Sequence, residues 1–225
     1  MARIIRLGAL ALITSTGLAF AHGDVAPQAV DTSGLPEVGE DWAFENPYRG
    51  DPEVYATAID IGASGYNQNC ARCHGLGGVS GGLAPDLRFL EADEFGDEWY
   101  VERYRNGYTQ NGITRMPAFG ELLGQEAAWA IRSYIETRPD DQQITEKTPE
   151  LRTIRDQLVE WSDGGEADPE AAKAELMAIA DEIETLSGAD LADSVALRAA
   201  QQIDGTEASY AKAAETLTIG LSAAN

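Results

Sequence analysis

Cysteine and histidine are scarce in this sequence, which has two residues of each among 225. A structural zinc site usually takes four cysteine or histidine ligands. This chain would reach four only by including His22, which lies in a polar leader. A thioredoxin-like dithiol needs a surrounding strand–helix–strand pattern, and the residues that flank the two cysteines do not resemble strands. The composition therefore argues against both a zinc site and a thioredoxin-like site.

Basic residues are also few, since 16 Lys and Arg stand against 38 Asp and Glu and give a formal charge of −22. Proteins that bind nucleic acid need a basic surface to contact phosphate, so nucleic acid is excluded as a partner. An acidic surface can steer a protein onto a basic patch of a redox partner. It can equally serve solubility or a salty habitat, and the sequence leaves both possibilities open.

No hydrophobic run is long enough to predict a transmembrane anchor. The apolar stretch at residues 7–20 is interrupted by small and hydroxyl side chains and is shorter than the roughly 20 apolar residues that a membrane-spanning helix needs. Arg3 and Arg6 precede it, and Ala19-Phe20-Ala21 follows as a cleavage site. Residues 1–21 are therefore predicted to be a cleavable secretory signal. The exported, periplasmic chain would begin at His22 and carry −22 − 2 = −24 charges.

Both cysteines lie in the run Cys-Ala-Arg-Cys-His at residues 70–74. This C-x-x-C-H pattern is the attachment signature of c-type haem. Residues three and four apart share one face of a helical turn, so Cys70, Cys73 and His74 can meet the same porphyrin. The two thiols would add across the haem vinyl groups, and His74 would bind iron as the proximal ligand. The run predicts one covalently bound haem c.

Methionine is the remaining candidate for the second axial position. Met1 leaves with the signal, and His22 lies in the leader. Met177 lies in an alanine-rich helical segment and is interpreted as a packing residue. Met116 lies in a turn before Pro117, between two predicted helices, and is the predicted distal ligand. Ligation by histidine and methionine suits an electron carrier.

The periodicity of the chain predicts an all-α protein. An irregular arm rich in glycine and proline occupies residues 22–51. Predicted helices begin at Pro52, with Asp51 as the N-cap, and span residues 92–105 and 122–137, with turns at Asn106-Gly107 and Asn111-Gly112.

Residues 140–225 have a different composition, with no cysteine, histidine or phenylalanine and a charge of 6 − 19 = −13. Thr148-Pro149 and Asp168-Pro169 match the pattern of an N-cap followed by proline at the first helical position. Three or four amphipathic helices are predicted here, and no residue suggests chemistry. The chain is thus divided into a signal (1–21), an arm (22–51), a haem domain (52–139) and an acidic helical extension (140–225).

Residues 52–139 resemble the class I c-type cytochromes at several spaced positions. Gly62, Tyr66 and Cys70 match the glycine–aromatic–cysteine spacing of that family's first helix. The other matches are Ile131 and Tyr134 on the last helix of the domain, Ala84-Pro85-Asp86-Leu87, and Met116-Pro117-x-Phe119. The resemblance implies a class I fold around one haem, with the extension added to it. It also implies that the Pro85 carbonyl accepts a hydrogen bond from the imidazole of His74.

Two further stretches are similar to the small cytochromes c that serve periplasmic quinoprotein (PQQ-dependent) alcohol dehydrogenases. They are residues 64–69, which enter the haem motif, and Asn46-Pro47-Tyr48-Arg49-Gly50. This likeness implies a monohaem electron carrier rather than an enzyme. Its donor would be a periplasmic dehydrogenase, and its acceptor a terminal oxidase or another cytochrome. The likeness does not extend to residues 140–225.

Two other functions remain open at the level of the sequence. In one, the protein would be a tightly held haem subunit or, with Met116 displaced, an open-site haem enzyme or sensor that binds small molecules. Alternatively, the amine and imidazole of His22 at a mature N-terminus would chelate copper.

Overall fold

The computed structural model describes residues 26–222, so the predicted signal at residues 1–21 and His22 lie outside the described residues. Eight α-helices and one two-stranded sheet occur in this part of the chain. They are α1 (Pro52–Asn69), α2 (Ala71–His74), α3 (Glu94–Asn106), β1 (Tyr108–Gln110), β2 (Ile113–Met116), α4 (Gly120–Glu136), α5 (Asp141–Ser162), α6 (Pro169–Asp181), α7 (Val195–Gln202) and α8 (Glu207–Ser222). Short 3₁₀ helices span Pro47–Gly50, Leu76–Gly78 and Leu87–Phe89. The prediction of an all-α fold is confirmed.

Helices α1 and α4 form the centre of the first half of the molecule. Asp51 caps α1, accepting hydrogen bonds from the backbone of Glu53 at 2.9 Å and of Val54 at 3.2 Å. The two helices cross in close contact at Gly62, where a Cβ atom would lie 1.9 Å from the carbonyl oxygen of Ala130. Only glycine permits this approach, because any side chain would overlap the backbone of α4.

A small hairpin that the sequence did not predict lies between α3 and α4. Strands β1 and β2 are antiparallel, with Tyr108 opposite Met116. Asn111 and Gly112 connect them with φ angles of 51° and 76°, the positive values that a two-residue hairpin turn requires. Asn111-Gly112 was correctly predicted as a turn, but strands of three and four residues are too short to show a clear alternation of polar and apolar residues.

Helix α5 contradicts one predicted helix start. The helix begins after Asp140, whose side chain accepts from the backbone of Gln142 at 2.9 Å, and it continues through Pro149. Proline removes one backbone donor from a helix interior. Because α5 nevertheless continues through Pro149, the prediction of a new helix at Thr148-Pro149 was wrong. The predicted start at Asp168-Pro169 is correct, since Asp168 caps α6.

The described residues form two separate hydrophobic clusters. One lies between α1, α3 and α4 and includes Tyr66, Tyr104 and Ile131. The other lies among α5–α8 and includes Leu158 and Leu217. Polar contacts join the two halves. They include backbone hydrogen bonds from Ala92 to Ser187 and from Asp140 to Glu184, both 2.9 Å, and ion pairs from Arg88 to Asp141 at 2.7 Å and from Arg138 to Asp193 at 3.1 Å.

A buried ionic network attaches the N-terminal arm to the haem domain. Arg49 donates to Asp97 of α3 at 2.7 and 2.8 Å and to Glu136 of α4 at 2.6 and 2.9 Å. Arg132 also donates to Asp97 at 2.8 Å, and the Tyr55 hydroxyl donates to Glu136 at 2.6 Å. Because both carboxylates are fully buried, each needs these partners to remain charged away from water.

No helix in residues 26–222 combines the length and the apolar character needed to span a bilayer.

Candidate functional site

The predicted haem-attachment run forms one helical turn at the end of α1. Cys70 is the C-cap of α1 and precedes α2, and its carbonyl accepts from the backbone of Cys73 at 3.1 Å and of His74 at 3.0 Å. Both cysteines are free thiols, with Cys70 partly buried and Cys73 exposed. The structure therefore places the two predicted thioether residues and the predicted proximal ligand on one turn.

The imidazole of His74 is held in a defined orientation. Its Nδ1 atom lies 2.8 Å from the carbonyl oxygen of Pro85, and the ring is buried, with 8% of the residue exposed. A carbonyl oxygen can only accept a hydrogen bond, so Nδ1 carries the proton and donates it. The lone pair of Nε2 is then free to bind a metal, as in other proteins whose ligating histidines donate from the second ring nitrogen.

The chain turns sharply after His74. Gly75 has a φ angle of 81°, and a Cβ atom there would lie 1.8 Å from the carbonyl oxygen of Val79. The Tyr66 hydroxyl donates to the Gly75 carbonyl at 2.8 Å, which links the first helix to this turn. Gly75 thus permits a close approach between two backbone segments of this loop.

The predicted distal ligand lies at the end of the hairpin. Met116 is the last residue of β2 and is partly buried against the same cluster that Cys70 contacts. Gly107 lies opposite, where a Cβ atom would be 2.4 Å from the Met116 carbonyl oxygen. Met177, by contrast, lies on α6 in the extension with 36% of its surface exposed. Met177 therefore lies outside the haem domain, on a partly exposed face of α6.

Burial changes the acidity of the site. It raises the pKa of the Cys70 thiol to about 12, and the nearby Cys73 thiol contributes in the same direction. The pKa of Tyr104 is also raised, first by burial and second by Cys70. The Tyr104 hydroxyl is one of four buried side-chain polar groups without a hydrogen-bond partner in the described residues. It lies near the Cys70 thiol of the attachment turn, a position that the sequence analysis did not predict.

The residues present fit a haem group. The set comprises two thiols, an imidazole with a free Nε2, and a thioether, the groups that attach and ligate haem c. Large apolar side chains are strongly exposed in the loops that follow the motif and in the hairpin, namely Leu76, Leu83, Phe89 and Ile113. Such residues would lie against the apolar faces and edges of a porphyrin. Within residues 26–222 no cluster of three or more His, Cys, Asp and Glu suggests a site for a simple metal ion.

The two segments that carry the site have a charge opposite to that of the chain. Residues 61–85 contain one charged side chain, Arg72, and residues 103–120 contain three arginines and no carboxylate. Arg72, Arg105 and Arg115 are exposed. The acidic residues of the chain are therefore concentrated outside these two segments.

The match to a known protein family falls within the predicted haem domain, residues 52–139. Residues 57–135 match the family model described as cytochrome C oxidase, cbb3-type, subunit III. Over 128 residues the chain is 54% identical to cytochrome c550 of Pseudomonas aeruginosa, and the match covers 57% of this chain and 88% of that protein.

Two larger proteins contain similar segments. A quinohemoprotein alcohol dehydrogenase of Pseudomonas putida, ADH-IIG, is 32% identical over 84 residues, which cover 37% of this chain and 11% of the dehydrogenase. FixP, a cbb3-type cytochrome c oxidase subunit of Rhizobium meliloti, is 29% identical over 90 residues, which cover 37% of this chain and 31% of FixP. No solved structure matches the chain.

Proposed function

Because the chain belongs to the class I c-type cytochromes, the electron-transfer proteins that carry a covalently bound haem c, we propose that it carries single electrons in the periplasm. The proposed donor is a quinoprotein alcohol dehydrogenase. The proposed acceptor is a terminal oxidase or another cytochrome. The protein would form and break no substrate bond.

The observation that carries the proposal is the joint placement of the attachment turn and the oriented imidazole. Cys70 and Cys73 would hold the haem through thioether bonds, and His74 would bind iron through Nε2 while Nδ1 donates to Pro85. Met116 would fill the second axial position. The haem iron supplies a one-electron couple between its ferrous and ferric states, and two protein ligands leave no position for a substrate.

The surrounding residues would determine how the couple operates. The hydrogen bond from His74 keeps the ring in one orientation and makes it a stronger donor to iron. The apolar side chains of the two loops would exclude water from the iron. The exposed position of Cys73 places the attachment turn near the surface, so one haem edge would be open to a partner protein.

The choice of donor is supported by two likenesses. The stretches at residues 46–50 and 64–69 resemble the small cytochromes c that serve quinoprotein alcohol dehydrogenases. In addition, a quinohemoprotein alcohol dehydrogenase contains a segment similar to part of this chain. The similar segment of FixP, named as an oxidase subunit, supports an oxidase as the eventual acceptor. The predicted signal at residues 1–21 supports the periplasm as the location.

Stopped-flow spectroscopy tests the proposal directly. The ferric protein is mixed with a purified quinoprotein alcohol dehydrogenase and its alcohol, and the appearance of the ferrous spectrum is recorded. We expect one electron per cytochrome, with no reduction when the alcohol is omitted. Reduction by ascorbate but not by the dehydrogenase would remove the proposed donor, and the absence of any reversible couple would remove the carrier function itself.

A further inference from the structure

The carbonyl that orients His74 lies in a loop with its own supports. Pro85 is followed by Asp86, whose carboxylate accepts from the backbone of Arg88 at 3.1 Å and of Ser80 at 3.4 Å. The loop from residue 80 to residue 88 is therefore closed on itself through the side chain next to Pro85. Any displacement of Asp86 would move the Pro85 carbonyl relative to the Nδ1 atom of His74.

Arg88 holds that carboxylate from the other side. Its Nε and Nη2 atoms donate to the two oxygens of Asp86 at 3.0 and 2.8 Å, a bidentate pair. The residue is 4% exposed, and its stem passes over Gly78, where a Cβ atom would lie 2.9 Å from the Cγ of Arg88. A planar guanidinium with two parallel hydrogen bonds fixes its partner in position as well as in charge.

The third nitrogen of Arg88 reaches the helical extension. Its Nη1 atom donates to Asp141, the first residue of α5, at 2.7 Å and to the Pro139 carbonyl at 3.3 Å. The guanidinium thus joins the extension to the residue that follows Pro85. The separation in sequence between Arg88 and Asp141 is 53 residues, so no local pattern could have revealed the connection.

We propose that Arg88, anchored by Asp141 of the extension, is a positioning residue for His74 and lowers the reduction potential of the protein. The inference rests on the proposed function, in which His74 is the proximal ligand. A firm hydrogen bond from Nδ1–H to the Pro85 carbonyl increases the basicity of the imidazole. A more basic ligand stabilises the ferric state relative to the ferrous state. Weakening the hydrogen bonds from Arg88 to Asp86 should therefore raise the reduction potential.

The test compares the midpoint potentials of three variants of the full-length holoprotein with that of the wild type. Arg88→Lys keeps the charge but removes the bidentate pair, so a shift in this variant cannot come from a change in net charge. Asp141→Asn removes the ion pair that anchors Arg88, together with one negative charge. Asp193→Asn is the control, since it removes the same single negative charge and another ion pair between the two halves, with Arg138 at 3.1 Å, along with a pair to Arg198 at 2.9 Å within the extension.

We expect Arg88→Lys to raise the ferrous-to-ferric ratio at a fixed electrode potential about tenfold, which corresponds to about 59 mV for a one-electron couple. Asp141→Asn should raise the ratio by a smaller factor, and Asp193→Asn should give the ratio closest to that of the wild type. The hyperfine-shifted resonances of the His74 ring in the ferric state should move in the same order. If Arg88→Lys does not fold, the comparison of Asp141→Asn with Asp193→Asn decides the question.

Equal potentials in the wild type and Asp141→Asn would overturn the inference, and so would an equal shift in Asp193→Asn. These results differ from a failure of the proposed function, in which the wild-type protein itself would show no covalent haem and no one-electron couple.

Discussion

Cys70 and Cys73 lie three residues apart on one helical turn, so each thiol can reach a different vinyl group of the same haem. We expect Cys70→Ser combined with Cys73→Ser to leave no haem on the denatured polypeptide, as measured by haem staining after denaturing electrophoresis. Each single serine variant is the control, because one thioether bond should remain. Covalent haem that persists in the double variant would show that attachment does not use this turn.

Gly62 is the residue at which α1 and α4 of the haem domain cross in close contact. A Cβ atom there would lie 1.9 Å from the Ala130 carbonyl oxygen, so α1 and α4 would have to separate in Gly62→Ala. Overpacking of this kind costs about 1–3 kcal/mol, and we expect at least that loss in the free energy of unfolding measured with denaturant. Gly50→Ala is a matched control, since a Cβ atom at that position would have nothing within 4 Å. Equal stability of the two variants would contradict this account of the helix crossing.

At this scale the sequence predicts only the part of the site that is local. The attachment turn could be predicted because its residues are consecutive, and Met116 was predicted as a ligand because the chain offers few others. The bidentate contact of Arg88 with Asp86 and the network of Arg49, Asp97 and Glu136 could not be recognised. The two carboxylates that Arg49 contacts lie 48 and 87 residues away in the chain, and their meeting depends on the packing of whole helices.

Among the elements, long helices with clear caps were predictable and short or interrupted ones were not. Asp51 and Asp168 cap α1 and α6 as predicted. Helix α5 passes through Pro149, where Thr145 and Thr148 direct their hydroxyls to the carbonyls of Asp141 and Ile144 at 2.8 and 3.1 Å. Those hydrogen bonds occupy the turn before the proline, and tertiary packing of Leu151, Ile154 and Leu158 outweighs the local preference for a break.

The extension forms a second set of elements that should be dispensable for haem attachment. None of residues 140–225 is a candidate haem ligand apart from Met177 on α6, and the two halves have separate hydrophobic clusters. A chain ending at Asp140 should therefore retain covalent haem and the wild-type ligand spectrum. It should be less stable, because the hydrogen bonds of Ala92 and Asp140 with Ser187 and Glu184 are lost.

Spectroscopy and thermal unfolding of that truncated protein provide the measurement. Failure to incorporate haem would show instead that the extension is part of the haem-binding core.

For the whole molecule, the distribution of charge matters more than its sum. The extension carries −13, while the segments that form the site carry exposed arginines. If the acidic residues outside the site steer the protein onto a basic surface of the dehydrogenase, the rate of reduction should fall as the salt concentration rises. Salt screens the attraction between charges that lie more than about 8 Å apart at physiological ionic strength. Stopped-flow reduction across a salt series measures this dependence.

The arginines provide a discriminating control for the same experiment. Replacing Arg72 and Arg115 with glutamine should accelerate reduction by a partner whose docking surface is basic, because these side chains repel it. A slower reaction would indicate an acidic surface opposite the haem edge. A rate that is independent of salt in every variant would assign the charge to solubility.

The central claim is that His74 and Met116 together ligate the haem iron, and it is tested most directly by the sulfur-to-iron charge-transfer band in the visible spectrum of the ferric protein. The wild type should show the band, Met116→Ala should lose it, and Met177→Ala should retain it. Met177 is a suitable control because it lies on α6, outside the haem domain. A band that survives in Met116→Ala, or that disappears in Met177→Ala, would contradict the account.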